Sequence, residues 1–300
     1  MSHDAAPSIL DPQAGGLAPA RSSSSLESFD RVLEPKRQLR GSFPLRELWA
    51  YRELLGFLTW RDVKVRYRQT VIGALWALIQ PFMLMVVFTL VMGHLAHVPS
   101  DGLPYPIFAY AALVPWTLFA SALGGISGSV VSNSGLISKV YFPRLVIPMA
   151  VLGSFLFDFL IALVLLIGMM VYYGVYPGLG LLALPGLVVL ALITALSVGI
   201  WLTALNVRYR DIRYTVPFLL QLWLFASPIT YAASLVPSRW RLLYGLNPMT
   251  TVIDGFRWAL LGVTWSPGWS AVVSFAVVVV LLASGLVYFR RMETTFADLV

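Results

Sequence analysis

The sequence offers few residues that could carry out covalent chemistry. Cysteine is absent from its 300 residues, which excludes thiol catalysis, thiolate zinc sites and iron–sulfur ligation. His94 and His97 could present two imidazoles on one helix face, but no clear set of further ligands accompanies them, so we interpret them as polar residues at a membrane boundary. No G-x-x-x-x-G-K-[ST] phosphate loop occurs, so any nucleotide must be bound by another chain.

Asp158 is the one acid inside a long apolar stretch. An unpaired ionisable side chain in lipid costs on the order of several kcal/mol, so such a residue is a functional candidate by default. It is either a proton relay or a structural acid that hydrogen-bonds to a neighbouring helix. The structural role is favoured, because a relay needs further titratable groups. Asp254 and Arg257 are predicted to pair on a short helix, and Gly124-x-x-x-Gly128 predicts close helix packing.

The composition indicates that membrane-spanning helices position these groups. Hydrophobic residues make up 58%, charged residues 12%, and the mean hydropathy is +0.79, whereas a soluble domain is about 25% charged. The apolar stretches are continuous rather than alternating, which excludes barrel strands and predicts an all-α bundle. A span needs about 20 apolar residues. The charge-free intervals predict six transmembrane helices, near 70–94, 106–131, 146–173, 179–206, 214–234 and 269–289.

The basic residues predict the orientation of the chain. The net charge is +7, and eighteen of the 21 Lys and Arg residues lie on the side that carries both termini. Only Arg239, Arg241 and Arg257 lie on the other side. This bias predicts a multi-pass protein of the inner (plasma) membrane with both termini cytoplasmic. Nucleic-acid binding is excluded, because the basic residues flank apolar spans rather than cover a soluble face.

The segment before the first span divides in two. Residues 1–44 carry many Pro, Gly and Ser residues without the apolar core of a signal peptide, and they predict a disordered cytoplasmic tail. Residues 45–69 predict an amphipathic helix on the membrane surface followed by a basic flank. Asp62 falls on the apolar stripe, so the helix is expected to end or turn there. The flank either meets anionic headgroups or is simply solvated.

Two further features concern the opposite membrane face and the interior. Residues 237–262 predict a re-entrant helical hairpin, because the apolar part, 252–261, is too short to cross a membrane. Aromatic residues form 13% of the chain and indicate interfacial belts, although some could face a pore and stack on sugar rings. The channel candidates are Trp76, Phe82, Tyr110, Trp116, Phe119, Trp223, Phe225 and Tyr231.

From about Leu45 onward the chain resembles the transmembrane subunit of ABC-2 type polysaccharide exporters, the O-antigen permease family that also includes teichoic-acid and capsule permeases. The resemblance rests on short segments in a fixed order. These are Trp60–Tyr67, Gly73–Pro81, Ser138–Arg144, Leu205–Asp211, Leu246–Met249 and Phe289–Glu293. It implies the ABC-2 fold over 70–289, with a cytoplasmic C-terminus at 290–300.

The resemblance also implies partners and roles. The chain would be a non-enzymatic homodimeric permease that binds no cofactor or metal, with ATP and Mg²⁺ on two copies of a separate ATPase subunit. Its substrate would be an undecaprenyl-linked polysaccharide that passes through a pore at the dimer interface, surrounded by membrane lipids. The residues implied to couple to the ATPase are Lys139, Val140, Tyr141, Phe142, Pro143 and Arg144. Those implied to contact it from the surface helix are Trp60, Arg61, Asp62, Lys64 and Arg66. Those implied to gate the outer face are Asn247, Pro248, Met249, Asp254 and Arg257.

Several alternatives stay open. Within the family, teichoic-acid and capsule export come next after O-antigen export, ahead of lipid or drug efflux. A membrane glycosyl- or acyltransferase requires acid and base residues gathered at one membrane face. A proton-coupled transporter requires titratable groups at the midplane and usually an internal repeat, and the sequence shows only Asp158 and no repeat.

Overall fold

The computed structural model describes residues 49–68, 73–140, 142–209, 211–265 and 268–299, and the regular secondary structure in these ranges is helical. The α-helices are α1 Arg52–Arg68, α2 Trp76–Phe88, α3 Tyr105–Ser132, α4 Ser134–Ile137, α5 Val146–Tyr173, α6 Leu184–Arg208, α7 Ile212–Phe225, α8 Arg241–Tyr244, α9 Pro248–Leu261 and α10 Trp269–Leu299. Short 3₁₀ helices occupy Gly73–Leu75, Leu179–Ala183, Ala233–Leu235 and Ser238–Trp240, and α2 runs on into a π-helical segment, Thr89–Leu95. The tail predicted at 1–44 lies outside the described residues.

Five helices in the described ranges are long and apolar enough to cross a membrane. They are Trp76–Leu95, Tyr105–Ser132, Val146–Tyr173, Leu179–Arg208 and Trp269–Glu293. The fifth predicted span, 214–234, corresponds to α7, which has only 14 residues. At about 1.5 Å per residue α7 is about 21 Å long, short of the roughly 30 Å hydrocarbon layer. Six spans are therefore not confirmed. Pro228 explains the early end of α7, because it lacks a backbone N–H and disfavours helix in the residue before it.

Helix α3 is the centre of the bundle. Its residues from Ile107 to Val114 are fully buried, and it packs against α2, α5, α6, α7 and α9. Helix α10 packs on α6, and α9 lies against α3, α6 and α10. The outer helices keep many large apolar side chains exposed, as a lipid-facing surface requires.

The predicted Gly124–Gly128 contact is not the one that brings helices together within the described chain. No neighbouring atom lies within 4 Å of a Cβ added at Gly124. A Cβ at Gly125 would lie 2.5 Å from Phe155 of α5, and one at Gly199 of α6 would lie 2.5 Å from Ile126. Because successive helical residues turn by about 100°, a shift of one residue selects a different neighbour. The sequence therefore predicted close helix packing in this stretch but not which glycine provides the contact.

Helix α1 differs from its prediction in two respects. It continues without interruption through Asp62 to Arg68, so the expected end or turn at Asp62 was wrong. Arg61 explains this, since its guanidinium pairs with Asp62 at 2.7 Å and offsets the charge. The helix also packs along α5: Thr59 donates to the Ala150 carbonyl at 3.2 Å, and a Cβ at Gly153 would lie 2.9 Å from Thr59. A helix resting on the membrane surface is thus not confirmed.

Candidate functional site

The intramembrane acid Asp158 of α5 is held by two residues at the end of α1. Arg66 donates from Nη1 to Asp158 Oδ2 at 2.6 Å and from Nη2 to Ser154 Oγ at 3.0 Å. The Tyr67 hydroxyl donates to Asp158 Oδ1. Burial, reinforced by this hydrogen bond, raises the pKa of Tyr67 to about 12. Asp158 therefore forms the hydrogen bond to a neighbouring helix that the structural interpretation required.

The other predicted contact residues of α1 form a mixed surface. Trp60 is exposed and its ring lies edge-on to Phe157 of α5, with centroids 6.4 Å apart. Arg61 also donates to Asn133 Oδ1 at 2.8 Å, which ties α1 to the end of α3. Lys64 is exposed. Sequence reasoning missed Ser154, Tyr67 and Asn133 as partners, because these contacts join residues that are 72 to 91 positions apart in the chain.

The loop between α4 and α5 contains the predicted ATPase-coupling residues. Lys139 and Val140 are exposed, and Tyr141 lies outside the described residues. Phe142 is buried, 5% exposed, in a small cluster with Leu58 of α1 and three residues of α5 (Val146, Ile147 and Ala150). Because Phe142 and Leu58 share this cluster, the loop packs directly on α1, whereas Lys139 and Val140 stay accessible.

Pro143 and Arg144 complete this loop and bring in a partner that the sequence did not suggest. Pro143 accepts a backbone hydrogen bond from Val146 at 3.0 Å, which starts α5. The Arg144 backbone N–H donates to Glu293 Oε1 at 3.1 Å, and the Arg144 guanidinium donates to the Glu293 carbonyl. Glu293 ends the last span. The loop therefore contacts the end of the last span as well as α1.

At the opposite end of the bundle, Asn247 joins the end of α7 to the start of α9. Its side-chain oxygen accepts from Trp223 Nε1 at 2.8 Å and from the Met249 backbone N–H at 3.0 Å. Its amide donates to Ser227 Oγ at 2.9 Å and to the Ala226 carbonyl at 3.4 Å. The bond to Met249 is an N-cap, and Pro248 occupies the first turn, where a missing N–H costs nothing.

Arg257 is buried within the same region, with 2% of its surface exposed. Its guanidinium donates to the carbonyls of Ile229 at 3.0 Å, Phe108 at 3.3 Å and Tyr231 at 3.4 Å. It also lies 3.5 Å from the centroid of the Phe108 ring, a cation–π contact. Arg257 thus fastens α9 to α3 and to the non-helical segment that follows α7.

The predicted direct pair of Asp254 and Arg257 was wrong, because no ion pair joins them in the described part of the chain. The physical reason is that the guanidinium is already committed to three carbonyls. The two groups still interact through space: burial raises the pKa of Asp254 to about 7, and the Arg257 charge opposes part of that rise. Helix α9 ends at Gly262, whose φ of +69° is accessible to glycine at little cost. This region contains the predicted gate residues, but a gating role stays a prediction.

The aromatic channel candidates fall into three groups by burial. Tyr110, Trp116 and Phe119 are at most 3% exposed, so they pack in the protomer core rather than face an open passage. Trp223 and Tyr231 are half-buried: Trp223 bonds to Asn247, and Tyr231 accepts from the Tyr244 hydroxyl at 3.5 Å. The exposed candidates are Trp76, Phe82 and Phe225.

No group of three or more metal-ligating side chains occurs among the described residues. His94 and His97 are exposed. The His94 ring nitrogen lies 3.0 Å from the Thr89 carbonyl, and the His97 ring nitrogen lies 3.3 Å from the Leu95 carbonyl. These local contacts agree with polar residues at the end of the first span.

A helical bundle with five apolar helices of membrane-spanning length in its described residues is the architecture of a multi-pass membrane protein. Residues 53–261 match the family model of the ABC-2 type transporter. The chain belongs to this family.

Named relatives make the comparison more specific. The O-antigen export system permease protein RfbA of Myxococcus xanthus is 33% identical over 216 residues, which cover 71% of this chain and 82% of the relative. A protein of the same name from Klebsiella pneumoniae is 26% identical over 83% of this chain and 95% of the relative. The polysialic acid transport protein KpsM of Escherichia coli is 23% identical over 78% of this chain and 91% of the relative.

Proposed function

We propose that this chain is the permease subunit of an ATP-driven exporter of lipid-linked O-antigen or a related polysaccharide. The observation that carries the proposal is the 33% identity, over most of both chains, to a relative named as an O-antigen export permease. The relative named for polysialic acid transport supports capsule polysaccharide as the second candidate substrate. The chain would lie in the inner membrane, with the end that carries α1 facing the cytoplasm.

Two copies of a separate ATPase subunit would drive transport. The accessible stretch Ser138–Val140 offers a contact for such a partner. Phe142 connects that stretch to α1 through the buried cluster, and Arg144 connects it to Glu293 at the end of the last span. A force applied to the loop would therefore reach two elements that flank the spans. ATP and Mg²⁺ would be held by the partner.

Two copies of this chain would form the passage. Helices α2 and α7 leave aromatic side chains exposed, Trp76 and Phe82 on one and Phe225 on the other. Aromatic faces contact the C–H groups of sugar rings with little dependence on which sugar is present, so a glycan chain could slide past them. The region of Asn247 and Arg257 would close the outer end, since Arg257 holds the irregular segment after α7, where residues 227–230 are buried against protein.

The proposal is tested with the permease and its ATPase reconstituted together in lipid vesicles. Lipid-linked O-antigen should stimulate ATP turnover, and lipid-linked capsule polymer in a second arm separates the two candidate substrates. A complex that no lipid-linked glycan stimulates would contradict the proposed function. Phe142→Ala should lower the stimulated turnover while membrane insertion is kept, because it empties the cluster that joins loop and α1. Phe275→Ala, at an exposed phenylalanine of α10, is the matched control and should leave the stimulated turnover unchanged.

A further inference from the structure

A cavity of about 230 Å³, lined by apolar residues and several polar ones, lies between α1, α2, α3 and α5. Its polar lining includes Arg66, Gln80, Ser121 and Asp158, and its aromatic lining includes Trp76. Asp158 is 12 residues beyond the start of α5, or about 18 Å along the helix axis at about 1.5 Å per residue. The cavity therefore extends from the start of the first span, at Trp76, to a depth in α5 where a charged group is costly unless it has a partner.

The cavity carries no net charge, because Arg66 and Asp158 pair at 2.6 Å. A phosphate would gain the Arg66 guanidinium only by approaching the Asp158 carboxylate, so an anion is disfavoured. The electrostatics instead suit a neutral ligand that is rich in hydrogen-bonding groups.

Two polar side chains in the cavity have unused hydrogen-bonding capacity. Within the described part of the chain, neither the Gln80 amide nor the Ser121 hydroxyl bonds to another protein group. An amide offers two donors and an acceptor, and a hydroxyl offers one donor and an acceptor. Gln80 is exposed on the protomer and Ser121 is half-buried, so both groups are accessible to water or to a polar ligand.

Besides neutrality and free hydrogen-bonding groups, carbohydrate binding needs an aromatic face, and Trp76 supplies it. It lies one helical turn before Gln80 on α2, so the indole and the amide share one face of the helix. The Trp76 side chain is 55% exposed, which leaves part of its ring free for contact. The cavity has room for about eight water molecules at about 30 Å³ each, or for one pyranose unit.

We propose that this cavity binds a neutral sugar unit of the exported glycan, with the ring against Trp76 and its hydroxyls bonded to Gln80 and Ser121. The inference rests on the proposed export of a lipid-linked polysaccharide. The Arg66–Asp158 pair holds α1 against α5 and keeps the site neutral. The site lies on the inner half of the spans, so it would hold the glycan before it reaches the broken helices at the outer end.

The absence of cysteine from the chain makes a thiol-protection experiment direct. Ser121→Cys introduces a single thiol into the cavity, and Ser132→Cys, an exposed position on the same helix, is the matched control. The full-length complex in vesicles is treated with N-ethylmaleimide, and modification is followed by mass spectrometry. Lipid-linked glycan from the native strain is the probe, and the polyprenyl carrier without sugar is the second arm.

The glycan should slow modification of Ser121→Cys about tenfold at saturation, while the bare carrier leaves the rate unchanged and Ser132→Cys responds to neither. Equal protection by the bare carrier would show a lipid site and overturn the proposal. Failure of Ser121→Cys to react at all would show that the cavity is closed to water, with the same consequence.

A second variant tests the site without a thiol. Gln80→Leu should raise the glycan concentration that half-saturates ATP stimulation by about tenfold and keep maximal turnover, as expected for one or two lost hydrogen bonds. Gln221→Leu, an exposed glutamine on α7, should not. If glycan stimulates the wild-type complex and the half-saturating concentration of Gln80→Leu equals that of wild type, the sugar site is refuted but the export function is not. Absence of wild-type stimulation would refute the export function, whatever the thiol experiment shows.

Discussion

Arg257 is the residue whose replacement should disturb the outer end of the bundle most. Arg257→Met keeps much of the aliphatic volume but removes all three hydrogen bonds to carbonyls. Of these, the carbonyls of Ile229 and Tyr231 belong to the non-helical segment after α7, and each loses the donor described above. A buried acceptor without a partner costs about 1–3 kcal/mol, so the two together cost about 2–6 kcal/mol.

Removal of the Arg257 charge offsets part of this loss in the free energy of unfolding. Burial lowers the pKa of Arg257 to about 10, so its charged form is itself disfavoured by desolvation, and deleting it relieves that penalty. The net loss should therefore be about 2–4 kcal/mol. At about 2–4 °C per kcal/mol for a protein of this size, the unfolding midpoint should fall by about 4–16 °C.

The measurement is thermal unfolding of the purified protein in detergent, followed by intrinsic tryptophan fluorescence. Arg239→Met is the matched control, because Arg239 is exposed near the same end of the molecule and should change the midpoint by about 2 °C or less. Arg257→Lys should lie between wild type and Arg257→Met, since an ammonium reaches fewer of the three carbonyls. A midpoint for Arg257→Met within 2 °C of wild type would refute the assigned fastening role.

Three further predictions concern the other buried polar groups, each measured by the same unfolding assay. Asn247→Ala should lower the midpoint more than Asn247→Asp, because the aspartate still accepts from Trp223 and from the Met249 N–H; equal losses would contradict this. Burial raises the pKa of Asp254 in the folded protein to about 7, above its unfolded value near 4, so the residue destabilises the fold progressively as pH rises from about 4 to 7. Asp254→Asn should therefore stabilise the protein more at pH 8 than at pH 5. A gain in stability that does not depend on pH would contradict this. Arg66→Met and Asp158→Asn should each destabilise, and the double variant should lose less than the sum by about 1–2 kcal/mol, whereas simple additivity would mean that the pair is not coupled.

The positions of the spans were largely available from local composition. The predicted ranges 106–131, 146–173 and 179–206 match helices at Tyr105–Ser132, Val146–Tyr173 and Leu179–Arg208 within two residues at each end. Crossing a hydrocarbon layer depends on length and average hydropathy, and both are properties of a contiguous segment. The same reasoning failed at 214–234, where Pro228 ends α7 early although the apolar composition continues.

The contacts inside the bundle were decided only by the tertiary structure. The sequence singled out Asp158, but not Arg66 and Tyr67 as its partners, and it paired Arg257 with Asp254 rather than with three carbonyls. It could not separate the buried Tyr110 and Phe119 from the exposed Trp76. Each of these outcomes depends on how a helix is rotated about its axis, and one residue changes that direction by about 100°. In a continuously apolar span no periodic pattern fixes the rotation, so packing against neighbouring helices determines which side chains meet.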